Sequence, residues 1–300
     1  MLEAGTGEII PAAEDEPTIA RKISEKLNIH QVKVSLVQQN VLLVIGEDQE
    51  GNLQRYVCKR SRNASPLFTN GQERESLFYR QFSNDLSDII PNRVGEIDGF
   101  EIFQYLESDG PVDPNGMLNI LPLIQRIVVS DSFKHVMAGE YDDKERFLAY
   151  MDQVCTGLGE NSTHPEIASF LNSNKGVFSN ALEYLGNLPQ VLTHGDFWRG
   201  NAIKANQRLY IMDWENCQIN NSYYDISTLL NTEKFMYGNA EFKLLNDTEH
   251  TDEIALEYNF LLQTVSQILP ELITNKPEEP WTKTWLLEFS RIIDKYDNNE

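Results

Sequence analysis

The sequence predicts an α+β fold of two lobes, a small antiparallel β-sheet lobe followed by a larger, mainly helical lobe. Three observations carry this prediction. Short β-branched or alternating stretches fill residues 32–59, and apolar residues recur at helical spacing through most of the chain after residue 117. Between these regions, residues 107–115 are rich in Asp, Gly and Pro, as in a linker. The predicted boundaries are a flexible tail at 1–16, a first lobe at 17–106 and a helical lobe at 107–300.

The first lobe is predicted to begin with an amphipathic helix, because Ile19, Ile23 and Leu27 follow Pro17 at helical spacing. A meander of antiparallel strands follows, in which the dipeptide Asp98-Gly99 forms a hairpin turn. The predicted strands are 32–37, 41–45, 53–59, 93–97 and 101–106, with a helix at 72–82 before the last two.

The second lobe is predicted to be helical apart from one β region at 191–212, with a turn at 205–207. The predicted helices are 118–138, 143–158, 165–185, 223–237, 252–269 and 281–296. In a two-lobed protein of this kind, a ligand is expected in the cleft between the lobes.

Charge excludes several classes of partner. The 300 residues include 46 acidic and 25 basic side chains, which gives a formal net charge of -21. Such a chain is repelled by nucleic-acid phosphates and by anionic membranes, so neither is an expected partner.

The three cysteines are odd in number and far apart, which argues against a disulfide framework or a zinc site. No apolar run could cross a bilayer and residues 1–16 lack a basic stretch, so a cytoplasmic protein is expected.

The strongest chemical signal lies in residues 193–201 and 211–215. Phosphoryl transfer needs a carboxylate that orients the acceptor hydroxyl and takes its proton, which Asp196 could supply. It also needs oxygen ligands for Mg²⁺, and the amide of Asn201 and the carboxylate of Asp213 are suitable. Five positions separate Asp196 from Asn201, and a hairpin then returns Asp213 to the same place.

Each of these residues alone has a simpler structural explanation. A single loop Asp is usually a cap or turn residue, an Asn beside Gly is usually a turn residue, and a single His is usually structural. The combined pattern is specific and favours the functional reading. His194 is expected behind the loop, with its ring bonded to backbone, and Gly195 permits an unusual backbone conformation.

These segments resemble the catalytic core of the aminoglycoside phosphotransferase and choline kinase superfamily, relatives of protein kinases. The loop is similar to the protein kinase His-Arg-Asp pattern with Gly195 at its middle position. The resemblance implies a bilobal protein-kinase-like fold that uses ATP or GTP with Mg²⁺. It also implies Asp196 as catalytic base and Asn201 and Asp213 as magnesium ligands. Asp225 matches an Asp near the start of the next helix, where it caps that helix or steadies the catalytic loop.

The same resemblance requires nucleotide-binding residues upstream. Lys59, at the end of an apolar strand, is the candidate for holding the α- and β-phosphates. Its partner on the following helix is Glu75, with Glu73 as the alternative. Taken singly, Lys59 would be interpreted as a solubilising lysine on an edge strand, and Glu75 as part of a solvated helix face. The adenine is expected to bond the carbonyl of Gln104 and the amide of Leu106.

The loop between the first two strands, residues 35–41, differs from the superfamily pattern because it contains no glycine. Glycines there would let backbone amides approach the phosphates. Asn40 matches a polar position of the superfamily and is the first candidate for this contact, and the side chain of Gln38 or Gln39 could also donate hydrogen bonds. The resemblance extends by layout from about residue 32 to 230 and is specific at 194–215.

The acceptor is expected to be a small-molecule hydroxyl compound, bound between the catalytic loop and the last helices. Acids in those helices would suit a cationic acceptor, although a solvated helix surface is the more common explanation for such acids: Glu233, Glu241, Asp247, Glu249, Asp252, Glu253 and Glu257. Aromatic side chains that could contact a cation are Trp214, Tyr223, Tyr224, Phe235, Tyr237 and Trp281.

The predicted function is therefore a small-molecule kinase of the aminoglycoside phosphotransferase type. The alternatives are a choline, ethanolamine or sugar kinase of the same fold, and a nucleotide-binding pseudokinase with a regulatory role. The glycine-poor loop favours the pseudokinase, whereas Lys59, Asp196, Asn201 and Asp213 together disfavour it. A protein kinase is disfavoured because no Asp-Phe-Gly or Ala-Pro-Glu segment follows the loop.

Overall fold

A computed structural model describes residues 16–38, 41–60, 71–139, 141–161, 164–239, 252–273 and 279–297. The chain divides into two compact units, of which the first contains the segment Pro91–Glu107 and the elements before residue 61. The helix at 71–82 clusters with the second unit, whereas the boundaries predicted from the sequence placed it in the first lobe.

The first unit is a five-stranded antiparallel sheet in the order β1-β2-β3-β5-β4, with one helix packed on it. Its elements are α1 (Glu16–Leu27), β1 (His30–Gln38), β2 (Val41–Glu47), β3 (Leu53–Lys59), β4 (Arg93–Ile97) and β5 (Phe100–Gln104). Asp98 and Gly99 both have positive φ angles, 48° and 76°, as the tight hairpin turn between β4 and β5 requires. Val44, Cys58 and Ile102 are fully buried on the face that packs under α1.

The second unit is mainly helical and contains two short β-pairs. Its helices are α2 (Gly71–Phe82), α3 (Pro114–Gln125), α4 (Asp131–Val136), α5 (Lys144–Asn161), α6 (Pro165–Ser173), α7 (Lys175–Gly186), α8 (Tyr224–Phe235), α9 (Glu253–Gln263), α10 (Leu269–Ile273) and α11 (Thr282–Asp297). Its strands are β6 (Gln190–Thr193), β7 (Ala202–Ala205), β8 (Arg208–Ile211) and β9 (Gln218–Asn221), and they pair as β6 with β9 and β7 with β8.

Two of the predicted helices are interrupted. The helix predicted at 118–138 is two helices, because the chain leaves the helix after α3 and the Ser130 hydroxyl accepts the Phe133 N–H to begin α4. The helix predicted at 165–185 breaks at Asn174, between α6 and α7. Strand β9 was not predicted, since three of its four residues are polar although all four are buried.

The helices α5, α7, α9 and α11 enclose the core of the second unit, in which Phe178, Leu261 and Ile293 are fully buried.

Cys58, Cys155 and Cys217 are all free thiols in buried positions. Burial raises the pKa of Cys58 to about 12. None of the helices in the described ranges is long and apolar enough to span a membrane.

A charged cluster joins α8 to α11 and provides a test of the packing. Glu288 accepts bonds from Arg291 at 2.8 Å and from Lys234 at 3.0 Å. These partners, Arg291 first, lower the pKa of Glu288 to about 2. A carboxylate whose pKa is lower in the folded than in the unfolded state stabilises the fold above its ordinary pKa, and this contribution is lost as the pH falls from about 4.5 towards 2.

Glu288→Gln is therefore expected to lower the free energy of unfolding by about 1 kcal/mol at pH 7, because the cluster is partly exposed and solvent screens it. Urea denaturation at pH 7 and at pH 3.5 measures this difference, which should shrink at the lower pH. Glu160→Gln, at an exposed position of α5, is the control. An equal loss at both pH values would show that the effect comes from packing rather than from charge.

Candidate active site

The candidate catalytic loop, residues 194–201, begins directly after β6 and depends on one glycine. Gly195 has φ +86°, a left-handed conformation that disfavours side chains. A Cβ atom at this position would also overlap the carbonyl oxygen of Asn216. The close approach lets the loop pass directly beside the segment that follows Asp213. The predicted unusual backbone at Gly195 is therefore present.

Asp225 lies fully buried in the first turn of α8 and binds the start of the loop. Its two carboxylate oxygens accept the backbone N–H groups of His194 at 2.7 Å and Gly195 at 3.0 Å. The residue at the N-cap position of α8 is Tyr223, so the geometry is that of a loop anchor rather than a helix cap. Burial raises the pKa of Asp225 to about 7, while the two backbone donors oppose that shift.

His194 is fully buried and connects the loop to the end of β8. Its Nδ1 accepts the backbone N–H of Asp196 at 3.2 Å, so the ring proton is on Nε2, which bonds the carbonyl oxygen of Met212 at 2.7 Å. The N–H of Met212 in turn donates to the carbonyl oxygen of Asn201 at 2.8 Å. These bonds hold Asp196, Asn201 and the residue before Asp213 in one arrangement.

The Asp196 carboxylate is partly buried and receives two side-chain donors. Asn201 Nδ2 donates to Asp196 Oδ2 at 2.7 Å and to the Asp196 carbonyl oxygen at 2.9 Å. The indole Nε1 of Trp198 donates to the same Oδ2 at 3.2 Å. Loss of hydration raises the pKa of Asp196 to about 6, and the negative charges of Asp213 and Glu215 add to this effect. The two donors lower the pKa and so favour the ionised form.

Three carboxylates lie together beside this loop. Glu75, Asp213 and Glu215 each offer an oxygen, and these oxygens lie within 4.8 Å of one another. Asp213 has φ +66°, so the chain turns sharply after β8 and enters a short 3₁₀ turn at Trp214–Asn216. Because Asn201 donates through its amide nitrogen, its carbonyl oxygen remains the atom suited to a metal. This set of hard oxygen donors fits a divalent cation such as Mg²⁺.

Helix α2 brings Glu75 to this cluster because two neighbouring side chains fix the helix on the second unit. Arg74 is buried and donates to the carbonyl oxygens of Cys217 and Ala138, each at 3.1 Å. Phe78 stacks on the buried Trp214 with ring centroids 3.8 Å apart and an angle of 10° between the planes. Glu75 is only 1% exposed, whereas Glu73 is exposed, which distinguishes the two candidates on this helix.

The candidate nucleotide residues lie mainly in the first unit. Lys59 is the last residue of β3 and pairs in register with Val41 and Glu101. Gln104 ends β5, and Leu106 follows two residues later, outside the strand. Asn40 lies outside the described residues. Glu75 belongs to the second unit, so its pairing with Lys59 stays a prediction.

The structure adds residues to the site that the sequence analysis did not select. Glu215 lies in the segment 211–215 but was not among the predicted site residues, although its position two residues after Asp213 could have suggested a second carboxylate. Trp198 and Arg199 lie within the segment 193–201, but the sequence alone assigned them no role. Arg199 lies with its guanidinium 3.9 Å from the Tyr237 ring centroid and makes a two-pronged ion pair with Glu233, which is fully buried on α8.

Several acids considered for a cationic acceptor are already bound to other groups. Glu233 pairs with Arg199, Asp252 accepts the Ala255 N–H at the start of α9, and Glu257 pairs with Lys295 at 2.6 Å. Glu253 is exposed, while Glu241, Asp247 and Glu249 lie outside the described residues. Among the aromatic candidates, Trp214, Tyr224 and Phe235 are buried, whereas Tyr237 is 42% exposed and lies near Trp198.

Comparison with known proteins shows which families and folds the chain resembles. Residues 141–249 match the sequence model of the phosphotransferase enzyme family. No curated protein matches the chain. Among solved structures, the chain is similar to the choline kinase LicA from Streptococcus pneumoniae, with 16% identity, a TM-score of 0.61 and coverage of 94% of this chain and 99% of the other.

The chain is also similar to APH(2")-IIa in its complex with gentamicin, with 17% identity, a TM-score of 0.63 and coverage of 92% and 96% of the two chains. The ternary complex of APH(2")-IIa with streptomycin and ATP gives 16% identity, a TM-score of 0.60 and coverage of 93% and 97%. These findings confirm the predicted resemblance, the protein-kinase-like fold and the predicted class of enzyme, a phosphotransferase.

Proposed function

We propose that this phosphotransferase moves the γ-phosphoryl group of ATP, or of GTP, to a hydroxyl group of a small molecule, with Asp196 as the catalytic base. The observation that carries the proposal is the arrangement around Asp196. The loop and the end of β8 are hydrogen-bonded together, so the carboxylate of Asp196 lies beside the amide of Asn201 and near the charges of Asp213 and Glu215.

In this proposal the acceptor hydroxyl lies against the Asp196 carboxylate, which orients it towards the γ-phosphorus. The oxygen–phosphorus bond forms as the bond from the γ-phosphorus to the bridging oxygen breaks, and the hydroxyl proton passes to Asp196. Because its pKa is near 6, Asp196 is mostly ionised at neutral pH and can accept that proton. The phosphorylated acceptor and the nucleoside diphosphate are the products.

The residues that would hold Mg²⁺ are Asn201, Asp213 and Glu215. When bound, the ion would neutralise charge on the phosphate oxygens of the nucleotide. Glu75 lies in the same carboxylate cluster, so it has two candidate roles, as a partner of Lys59 and as part of the negative surroundings of the metal. Lys59 would hold the α- and β-phosphates, while Gln104 and Leu106 would bond the adenine through their backbone atoms. Asn40 would contact the phosphates.

The acceptor class rests on similarity and on chemistry rather than on a defined pocket. The similar structures carry the names of a choline kinase and of an enzyme bound to gentamicin or streptomycin. A cationic acceptor could use the partly buried ring of Trp198 and the exposed ring of Tyr237, although Arg199 already covers one face of Tyr237. An aminoglycoside is the first candidate, and choline, ethanolamine and sugars are the alternatives.

The deciding experiment measures acceptor-stimulated formation of nucleoside diphosphate from ATP and from GTP, together with the phosphorylated product by mass spectrometry. The acceptor panel contains aminoglycosides, ethanolamine, simple sugars, choline and the uncharged tert-butyl analogue of choline. Preference for choline over this analogue would show that the acceptor's positive charge is recognised, since the two have nearly the same shape. Saturable nucleotide binding with no phosphorylated product from any acceptor would contradict the proposal and favour the pseudokinase.

Asp213→Asn is expected to raise the Mg²⁺ concentration needed for half-maximal turnover by about tenfold or more, because an amide is a weaker ligand than a carboxylate. Asn is the suitable replacement, since Asp213 has a left-handed backbone that Asn tolerates. Magnesium titrations of turnover measure the effect, with Asp88→Asn at an exposed position as control. An unchanged magnesium requirement would remove Asp213 from the set of proposed ligands.

A further inference from the structure

The two oxygens of the Asp196 carboxylate have different surroundings. Both side-chain donors, Asn201 Nδ2 at 2.7 Å and Trp198 Nε1 at 3.2 Å, bond Oδ2. In the part of the chain that the structure describes, no hydrogen-bond donor reaches Oδ1. One oxygen is therefore held by the protein, and the other accepts no hydrogen bond from the described residues.

The indole of Trp198 reaches Asp196 because Gly200 leaves room for it. A Cβ atom at position 200 would lie 2.6 Å from both Cζ2 and Cζ3 of the indole, closer than packed atoms approach. Trp198 itself is in extended conformation, with φ -145° and ψ 166°, at the start of the 3₁₀ turn Arg199–Asn201. The indole therefore folds back over the turn that follows it, and its N–H points at the carboxylate.

We propose that Trp198 is a positioning residue for the phosphoryl transfer, whose indole N–H holds Oδ2 of Asp196 so that Oδ1 takes the proton of the acceptor hydroxyl, and that Gly200 makes room for this indole. The inference rests on the proposed function of Asp196. The carboxylate can rotate about its Cβ–Cγ bond, and a single donor fixes this rotation less well than two donors from different directions. Trp198 therefore limits the orientations in which Oδ1 faces the substrate.

The first test is a double-substitution cycle with Trp198→Phe and Gly200→Ala. Trp198→Phe keeps an aromatic ring but removes the N–H, and is expected to lower kcat about tenfold while the KM values for nucleotide and acceptor change little. Gly200→Ala removes no donor but displaces the indole, so a similar loss of kcat is expected. In the Trp198→Phe background, Gly200→Ala should change kcat less than twofold, since the smaller ring leaves space for the methyl group.

Gly176→Ala is the matched control, because this glycine lies on the exposed side of α7 with no atom near its added Cβ. Wild-type kcat in Trp198→Phe would overturn the proposal. Fully additive effects of the two substitutions would also overturn it, since they would show that Gly200 acts independently of the indole.

The second test needs no substrate. The chain has four tryptophans, so ¹⁵N-labelled tryptophan gives four indole N–H signals, and Trp198→Phe identifies the one that belongs to Trp198. Asp196→Asn replaces a charged acceptor with a neutral amide and should move the Trp198 indole signal upfield more than the others. The Trp214 indole bonds the carbonyl oxygen of Ile211 and serves as an internal reference.

An unmoved Trp198 signal in Asp196→Asn would overturn the proposed contact, whatever the kinetics show. If the contact is present but no acceptor is phosphorylated, the catalytic role fails together with the proposed function. If phosphorylation occurs and the signal does not move, only the role of Trp198 fails.

Discussion

Asp196→Asn is expected to lower kcat by about 10²–10⁴-fold, the range typical for loss of a general base. Asn has nearly the same shape as Asp but cannot accept the acceptor proton. The bonds that hold the neighbouring loop, from His194 to Met212 and from Met212 to Asn201, do not involve this carboxylate and should persist. The nucleotide affinity is therefore expected to change less than threefold.

Steady-state kinetics with the preferred acceptor and equilibrium nucleotide binding measure the two quantities separately. Asp131→Asn is the matched control, since its side chain is fully exposed on α4. Equal losses of turnover and of nucleotide affinity would point to a disturbed loop rather than a missing base. Wild-type turnover in Asp196→Asn would place the chemistry elsewhere.

Gly195→Ala is expected to reduce turnover at least as strongly, for a different reason. An added Cβ would overlap the backbone of Asn216, and alanine also disfavours φ +86°. The obstruction is main chain and cannot move aside like a flexible side chain. Either the loop shifts away from Asp225 and turnover is lost, or the unfolding free energy falls by about 3 kcal/mol or more.

Thermal unfolding and kinetics on the same preparation distinguish these two outcomes. Gly159→Ala is the control, because Gly159 lies exposed in α5 with no atom near its added Cβ. Alanine there should stabilise the helix slightly, by about 0.5–1 kcal/mol. A Gly195→Ala protein with wild-type stability and wild-type turnover would contradict the described loop geometry.

The fold was predictable from the sequence where local signals are strong. Strand β3 and the Asp98-Gly99 hairpin agree with the structure because alternation and turn residues act over a few positions. Strand β9 (Gln218–Asn221) was not predicted because three of its four residues are polar and are buried by contacts with distant segments. Asn221, for example, bonds Asn259 on α9 at 3.0 Å. Periodicity carries no information about such contacts.

The candidate site was predictable in its residues but only partly in its geometry. The pattern around Asp196 indicated the loop and predicted a base and metal ligands by residue type, and these roles stay predictions. That Glu75 joins Asp213 and Glu215 depends on how α2 packs, through the bonds of Arg74 and the stacking of Phe78. The bond from the Trp198 indole to Oδ2 of Asp196 depends on the space that Gly200 leaves for the indole ring. These are properties of three-dimensional packing that sequence spacing does not encode.

Helix α8 binds the catalytic loop at both of its ends. Asp225, in its first turn, holds His194 and Gly195, and Glu233, eight residues later and about 12 Å along the helix axis, holds Arg199. Both acids are fully buried. The loop therefore loses its conformational freedom once, when the protein folds, and not again in each catalytic cycle. Under the proposed function, substitution of exposed side chains such as Tyr237 is expected to change the acceptor preference while Asp196 keeps its position.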